Sequence, residues 1–136
     1  MVERTKAEGL DEFQGTVLEV TLEPSQLEGM EDQEQFHIFM EPVDKKIMKN
    51  SKTGGFHEWI RLSPKATESS VPEGSVADRY IEEIELLIPE AKKKKLITEV
   101  FQLLKDKTFL FKKKKLGRSY EGKEAKGYWV PVKLIG

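Results

Sequence analysis

The 136-residue chain contains no cysteine, so neither a disulfide framework nor a thiolate metal site is open to it. Its apolar runs are short, and none approaches the ~18 residues that a membrane-spanning helix needs. The stretch from Met1 to Leu10 carries charge but no apolar block of the kind a secretory signal requires. A cytoplasmic protein that does not enter a membrane is the expectation. Histidine is scarce too: His37 and His57 are the only two, and no carboxylate pattern accompanies them. Solvated or packing roles are therefore expected for both, with no metal and no cofactor. Catalytic signatures are missing as well. There is no G-x-S-x-G elbow, no H-E-x-x-H helix and no G-x-x-x-x-G-K-[ST] loop. Lys52 to Gly55 is only superficially like a phosphate loop, because it leads into a strand pattern. The acid pairs Glu31-Asp32 and Glu82-Glu83 fall in a loop and on a polar helix face, where solubility accounts for them. The expectation is a protein that is not an enzyme.

What the chain does have is charge, unevenly distributed. The net charge of −1 hides 12 acidic and 2 basic residues in positions 1–44, against 12 acidic and 21 basic in positions 45–136. From Lys92 to the end there are 14 basic residues and 4 acidic ones. Segregation of this kind speaks about partners rather than about fold. If the cations share a face, the C-terminal half suits a polyanion; if acidic and basic segments pack side by side, the charges cancel.

At this length a single domain with one real core is the simplest reading. Residues 1–12 are polar and unpatterned, a lead-in to a domain spanning 13–136. Phe13 to Glu23 reads as a first strand, with Thr16, Leu18, Val20 and Leu22 on one face and Val17, Glu19 and Thr21 on the other. Gly15 suits a bend or bulge near its start. An acidic loop, Pro24 to Gln35, leads to a second strand, Gln35 to Glu41, which sets Phe36, Ile38 and Met40 against His37, Phe39 and Glu41. A basic connection with a Gly54-Gly55 turn signal precedes a third strand, Phe56 to Leu62, with His57, Trp59 and Arg61 opposite Glu58, Ile60 and Leu62. Ser75 followed by Asp78 predicts a helix N-terminus. Tyr80, Ile84 and Leu87 continue that helix at the right spacing. Pro89 then predicts the first turn of a second helix running to about Lys105, with Leu96, Val100, Phe101 and Leu104 as its stripe. The lysines at 92–95 would lie near its beginning, where the helix dipole does not favour them.

The last thirty residues read as two strands, Lys107 to Leu116 and Gly127 to Ile135, joined by a polar loop between glycines. In the second of these, Tyr128, Val130, Val132 and Leu134 alternate with Trp129, Pro131, Lys133 and Ile135. Tyr128 is expected in the core and Trp129 on the outside. The four lysines at 112–115 cannot all face one way on a strand, so some are solvated edge residues.

The element order is β-β-β-α-β-β: mainly β with an inserted helical segment. Small Greek-key barrels of five strands need this order, with the helix plugging the open end of the core. In this order, in the glycine of the first strand and in the placement of its long loops, the stretch from Phe13 to Gly136 resembles the oligonucleotide/oligosaccharide-binding (OB) fold. A half-open α+β sheet shares the order. The resemblance implies a ligand site across the outer face of strands two and three, flanked by the loops joining strands one to two and four to five. On this sequence that face is His37, Phe39, His57, Trp59 and Arg61.

The function implied is largely sequence-independent binding of single-stranded nucleic acid, DNA ahead of RNA. Phe39, Trp59 and Tyr120 are candidates to stack on bases. Arg61, Lys112, Lys114, Arg118, Lys123 and Lys126 are candidates to track phosphates. The competing reading is a protein-interaction module of a larger assembly, meeting a partner through the outward aromatics or the acidic N-terminal third. In a third arrangement Phe39 and Trp59 cover a minor second core and touch no ligand.

Overall fold

The computed structural model describes residues 11–24, 34–44, 46, 55–116 and 127–136. In chain order these form β1 (Glu12–Pro24), β2 (Glu34–Pro42), β3 (Phe56–Arg61), α1 (Val76–Leu87), a 3-10 turn (Pro89–Lys93), α2 (Ile97–Gln102), β4 (Thr108–Lys115) and β5 (Gly127–Leu134). The strands make one antiparallel sheet in the order β3-β2-β1-β4-β5. After β3 the chain passes through both helices and returns to pair β4 with the first half of β1. No helix among the described residues is long and apolar enough to cross a membrane.

β1 is the longest strand and serves two partners. Its stretch Glu12 to Thr16 pairs with β4, and Gly15 to Pro24 pairs with β2. The side-chain faces expected for it are wrong. Phe13, Val17 and Val20 are buried, while Leu18 and Leu22 are exposed. The cause is a register shift between Val17 and Glu19, one extra residue that reverses the strand's parity. Near this bulge the Val17 N–H donates to the Lys107 carbonyl (2.9 Å) and its carbonyl accepts from the Asp106 N–H (2.8 Å), which carries the β1–β4 ladder past Thr16. The bulge thus lies at Val17–Glu19 and not at Gly15. Gly15 has a different task, since the Phe13 ring folds over it and an added Cβ would sit 2.6 Å from Phe13 Cε2.

α1 starts as its sequence predicts. The Ser75 hydroxyl accepts from the Asp78 N–H (3.2 Å), and the Asp78 carboxylate reaches back to the Gly74 N–H (2.8 Å). The second helix does not run continuously from Pro89. A 3-10 turn ends at Lys93, extended backbone follows, and α2 begins at Ile97 with the Leu96 N–H bonded to Glu99 (3.2 Å). The lysines at 92–95 are exposed at the end of the 3-10 turn and in this break, so the unfavourable position at a helix start does not arise.

The core fills the concave side of the sheet beneath the helices. At one end Phe36 stacks on Phe101 (centroids 4.0 Å apart), and Tyr80 also packs near-parallel to Phe101 at 5.7 Å. At the other end Phe13 packs against Phe56, Phe111 and Trp129. Trp129 is 4 % exposed, which overturns the expectation that it faces outward. A register shift at Leu110–Phe111 and the curl of the sheet bury Trp129, Val130 and Pro131 in succession, so simple alternation fails there. Lys113 covers the Trp129 ring, its ammonium 4.5 Å from the centroid. Tyr128, expected in the core, is half-buried.

No ladder joins β3 to β5 among the described residues, so the sheet is not closed there. The two edge strands nevertheless meet through side chains. Glu58 on β3 is 3 % exposed, and its carboxylate accepts from the Trp129 N–H on β5 and from its neighbour, the Trp59 N–H. The Tyr80 hydroxyl on α1 donates to the Trp129 carbonyl (2.8 Å). Both backbone groups of Trp129 that point away from β4 are therefore satisfied without a neighbouring strand, and burial requires that they be. Burial, together with the charge of Glu58, pushes the Tyr80 phenol well above its ordinary pKa of 10, so it stays protonated as a donor. Tyr80→Phe is expected to cost about 1 kcal/mol of stability by leaving the Trp129 carbonyl without its donor; urea unfolding of the two proteins measures it.

Candidate functional site

On the outer face of the sheet, β2 presents His37 and Phe39, and β3 presents His57 and Trp59. The ladder pairs His37 with Trp59 and Phe39 with His57. Alternation places these four rings together because Phe36, Ile38, Met40, Phe56, Glu58 and Ile60 take the opposite, buried face. The grouping expected from the sequence for these two strands holds.

The ring planes are nearly parallel throughout. Trp59 lies 5.0 Å from His37 at 6° and 5.5 Å from His57 at 9°, and Phe39 lies 4.8 Å from His57 at 3°. His37 and His57 are hydrogen-bonded through Nε2 and Nδ1 at 2.7 Å, with centroids 5.0 Å apart and planes within 13°. That combination places the two imidazoles edge to edge. Trp59 and Phe39 therefore stack on the imidazoles, and Trp59, 40 % exposed, is the most open of the four rings. Burial and the charge of His37 hold the His57 pKa below its ordinary value of 6.5, so His57 favours its neutral form.

Phe39 owes its position to Gly55. A Cβ at that position would collide with Phe39 Cε1 and lie 2.8 Å from the Met40 carbonyl oxygen. Gly55→Ala is expected to displace the Phe39 ring and to cost about 1–2 kcal/mol through overpacking. A lowered urea midpoint together with shifted Phe39 ring resonances is the expected result.

Charge around the rings is mixed. Glu19 lies opposite Phe39 on β1, and Glu23 places a carboxylate oxygen 3.7 Å from His37 Nδ1 while accepting from Gln35 Nε2 (3.1 Å). Arg61 is exposed at the end of β3. Its guanidinium acts on the half-buried Tyr128 hydroxyl, opposing the rise in pKa that burial and Glu58 impose.

Of the residues singled out from sequence, the structure brings together Phe39 and Trp59, with Arg61 further along β3. Lys112 and Lys114 are on β4, with β1 between them and β2. Each has a carboxylate nearby: Glu12 lies 3.7 Å from Lys112 and Glu83 lies 3.2 Å from Lys114. Arg118, Tyr120, Lys123 and Lys126 lie outside the described residues. Sequence reasoning placed the two histidines on one face but did not foresee their contact, which depends on the register of β2 against β3.

Neither a protein-family model nor a curated protein sequence matches this chain. The site must be read from its own geometry. A cavity of about 510 Å³ opens elsewhere, lined by Leu22, Phe36, Leu62, Ala66, Leu96 and Ile97, with Glu34 and Glu68 as its charged residues. It lies on the side of β2 opposite the rings and offers no cation to an anionic ligand.

Proposed function

We propose that the chain binds single-stranded nucleic acid across the outer face of β2 and β3, largely without regard to sequence. The observation that carries this reading is the cluster Trp59, His37, His57 and Phe39, four near-parallel rings with Trp59 the most open to solvent. Bases of any identity have a π-face to lay on such a surface, and each stacked base is worth about 1–3 kcal/mol. Strand order adds support. A meander β1-β2-β3 with β4 returned beside β1 is the arrangement of a Greek key. The Glu58 carboxylate links β3 to β5 and Tyr80 ties β5 to α1, contacts compatible with the OB-like barrel that the sequence resembles. In this reading Arg61 pairs with phosphate at one end of the rings. The lysines of β4, on the far side of β1, would add a longer-range electrostatic attraction.

A second reading has its own support. Glu19 and Glu23 lie on β1 beside the rings and repel phosphate. An acid-bordered aromatic surface also fits a protein partner that carries cations, which makes the chain a module of a larger assembly.

Anisotropy of a labelled mixed-sequence single strand, titrated at two salt concentrations, separates the two. Nucleic-acid binding predicts saturable binding that weakens as salt rises, because each neutralised phosphate releases counterions, and that is weaker for duplex. No binding to the single strand at low salt removes the first reading and leaves the second.

A further inference from the structure

We propose that His37 and His57 form a two-histidine chelate on the outer sheet face for a late first-row divalent cation: copper, nickel or zinc. The geometry carries this. His37 Nε2 and His57 Nδ1 face one another at 2.7 Å on adjacent strands, both rings are partly exposed, and the backbone beneath them is a regular antiparallel ladder from Gln35↔Arg61 to Met40↔Phe56. An ion bonded to both nitrogens at 2.0–2.1 Å needs them about 2.9 Å apart in a square-planar shell and about 3.3 Å apart in a tetrahedral one, against the present 2.7 Å. Both lone pairs must also converge on the ion, so each imidazole turns by roughly 40° out of the present hydrogen-bonded pose, a side-chain rotation that leaves the strands in place. The ion would replace the single proton that the two nitrogens now share.

The surroundings favour this use of the pair. The Glu23 carboxylate lies 3.7 Å from the other nitrogen of His37, Nδ1, on the side where a closer approach would let it act as the outer carboxylate of a ligating imidazole. Glu19 adds negative charge nearby, opposite Phe39. Trp59 and Phe39 hold the imidazole planes by stacking on them. No set of three or more His, Asp or Glu side chains suited to a metal is present among the described residues. Among the described residues the site therefore has two protein ligands, with water expected to fill positions at the solvent side. Imidazole nitrogen selects copper, nickel and zinc over magnesium and calcium, and copper is held most tightly. The proposal is independent of whether the face binds nucleic acid.

The experiment uses the full chain, stripped of metal and titrated separately with Cu²⁺, Ni²⁺, Zn²⁺ and Mg²⁺, by calorimetry and by tryptophan fluorescence. These two histidines are the only ones in the chain, and Trp59 and Trp129 are the only tryptophans, so the signals assign themselves. The expected result is one Cu²⁺, Ni²⁺ or Zn²⁺ per chain and no Mg²⁺. Copper should quench emission from Trp59 and leave the buried Trp129 signal that remains in Trp59→Phe. His37→Gln and His57→Gln should each weaken binding by at least the roughly 10–100-fold that loss of even an outer-shell partner costs. Zinc should shift the ring-proton resonances of both histidines in the wild-type protein, a readout that needs no variant to fold. Absence of saturable binding, affinity unchanged in both variants, or zinc that leaves either imidazole unshifted would each overturn the proposal.

Discussion

Glu58→Ala is expected to lower the free energy of unfolding by about 3 kcal/mol, a large share of the 5–15 kcal/mol that holds a domain of this size together. Three effects add. The Trp129 N–H loses its acceptor at a position that is 4 % exposed, where water does not replace it without opening the structure. The Trp59 N–H loses its bond to the same carboxylate. A cavity also remains between β3, β5 and α1, next to Tyr80. Glu58→Gln should cost less, about 1–2 kcal/mol, because one amide oxygen can still accept from Trp129 while the amide NH₂ replaces an acceptor near the Trp59 N–H. Urea unfolding gives the stabilities. Amide exchange at Trp129 then tests the mechanism: its protection should fall in Glu58→Ala by more than that of amides in the middle of the β1–β2 ladder. Equal stability of Glu58→Ala and the parent protein would mean that the bridge between the edge strands contributes nothing.

This bridge also bears on the ring-bearing face, because Glu58 bonds the backbone of Trp59 on one side and of Trp129 on the other. The inward position of Glu58 could be read from the sequence, since it shares parity with Ile60 and Leu62. Its partner could not be read, because the contact joins residues 71 positions apart. The same contrast runs through the fold. Strands β2 and β3 were legible because both keep strict alternation, and each has one apolar face. The start of α1 was legible because a serine followed by an aspartate makes a local bond. The faces of β1 and β5 were not legible, since one extra residue at Val17–Glu19 and another shift opposite Leu110–Phe111 change which parity points inward; the first has no glycine or proline within it, and at the second Pro131 flanks the extra residue, Val132, a signal the alternating pattern concealed. The second helix was over-extended for a related reason: Leu96 fits a helical stripe, yet its N–H is taken by Glu99 and α2 starts only after it. At the candidate site, parity grouped His37, Phe39, His57 and Trp59 correctly. The near-parallel planes and the hydrogen bond between the histidines depend on strand register and on the space that Gly55 leaves for Phe39, which no local pattern encodes.

Trp59→Ala is expected to weaken single-strand binding roughly 5- to 150-fold, the equivalent of one stacked base at about 1–3 kcal/mol, while changing stability by much less than Glu58→Ala does. The asymmetry follows from exposure: Trp59 is 40 % exposed, so truncation removes more ligand surface than core. Phe39→Ala should weaken binding by a comparable factor but also cost some stability, because Phe39 is half-buried and packs on His57 in the space that Gly55 provides. Because the rings adjoin one another through His37 and His57, the two changes should not be additive; removing either ring frees its histidine neighbours to move, so the double variant should lose less than the sum. Anisotropy at low salt gives the affinities, and circular dichroism with urea unfolding reports on the fold. Unchanged affinity in a folded Trp59→Ala would show that bases do not stack on this face. Unfolding of Trp59→Ala would instead mean that the exposed ring is holding the sheet, and the outer face would then be structure rather than site.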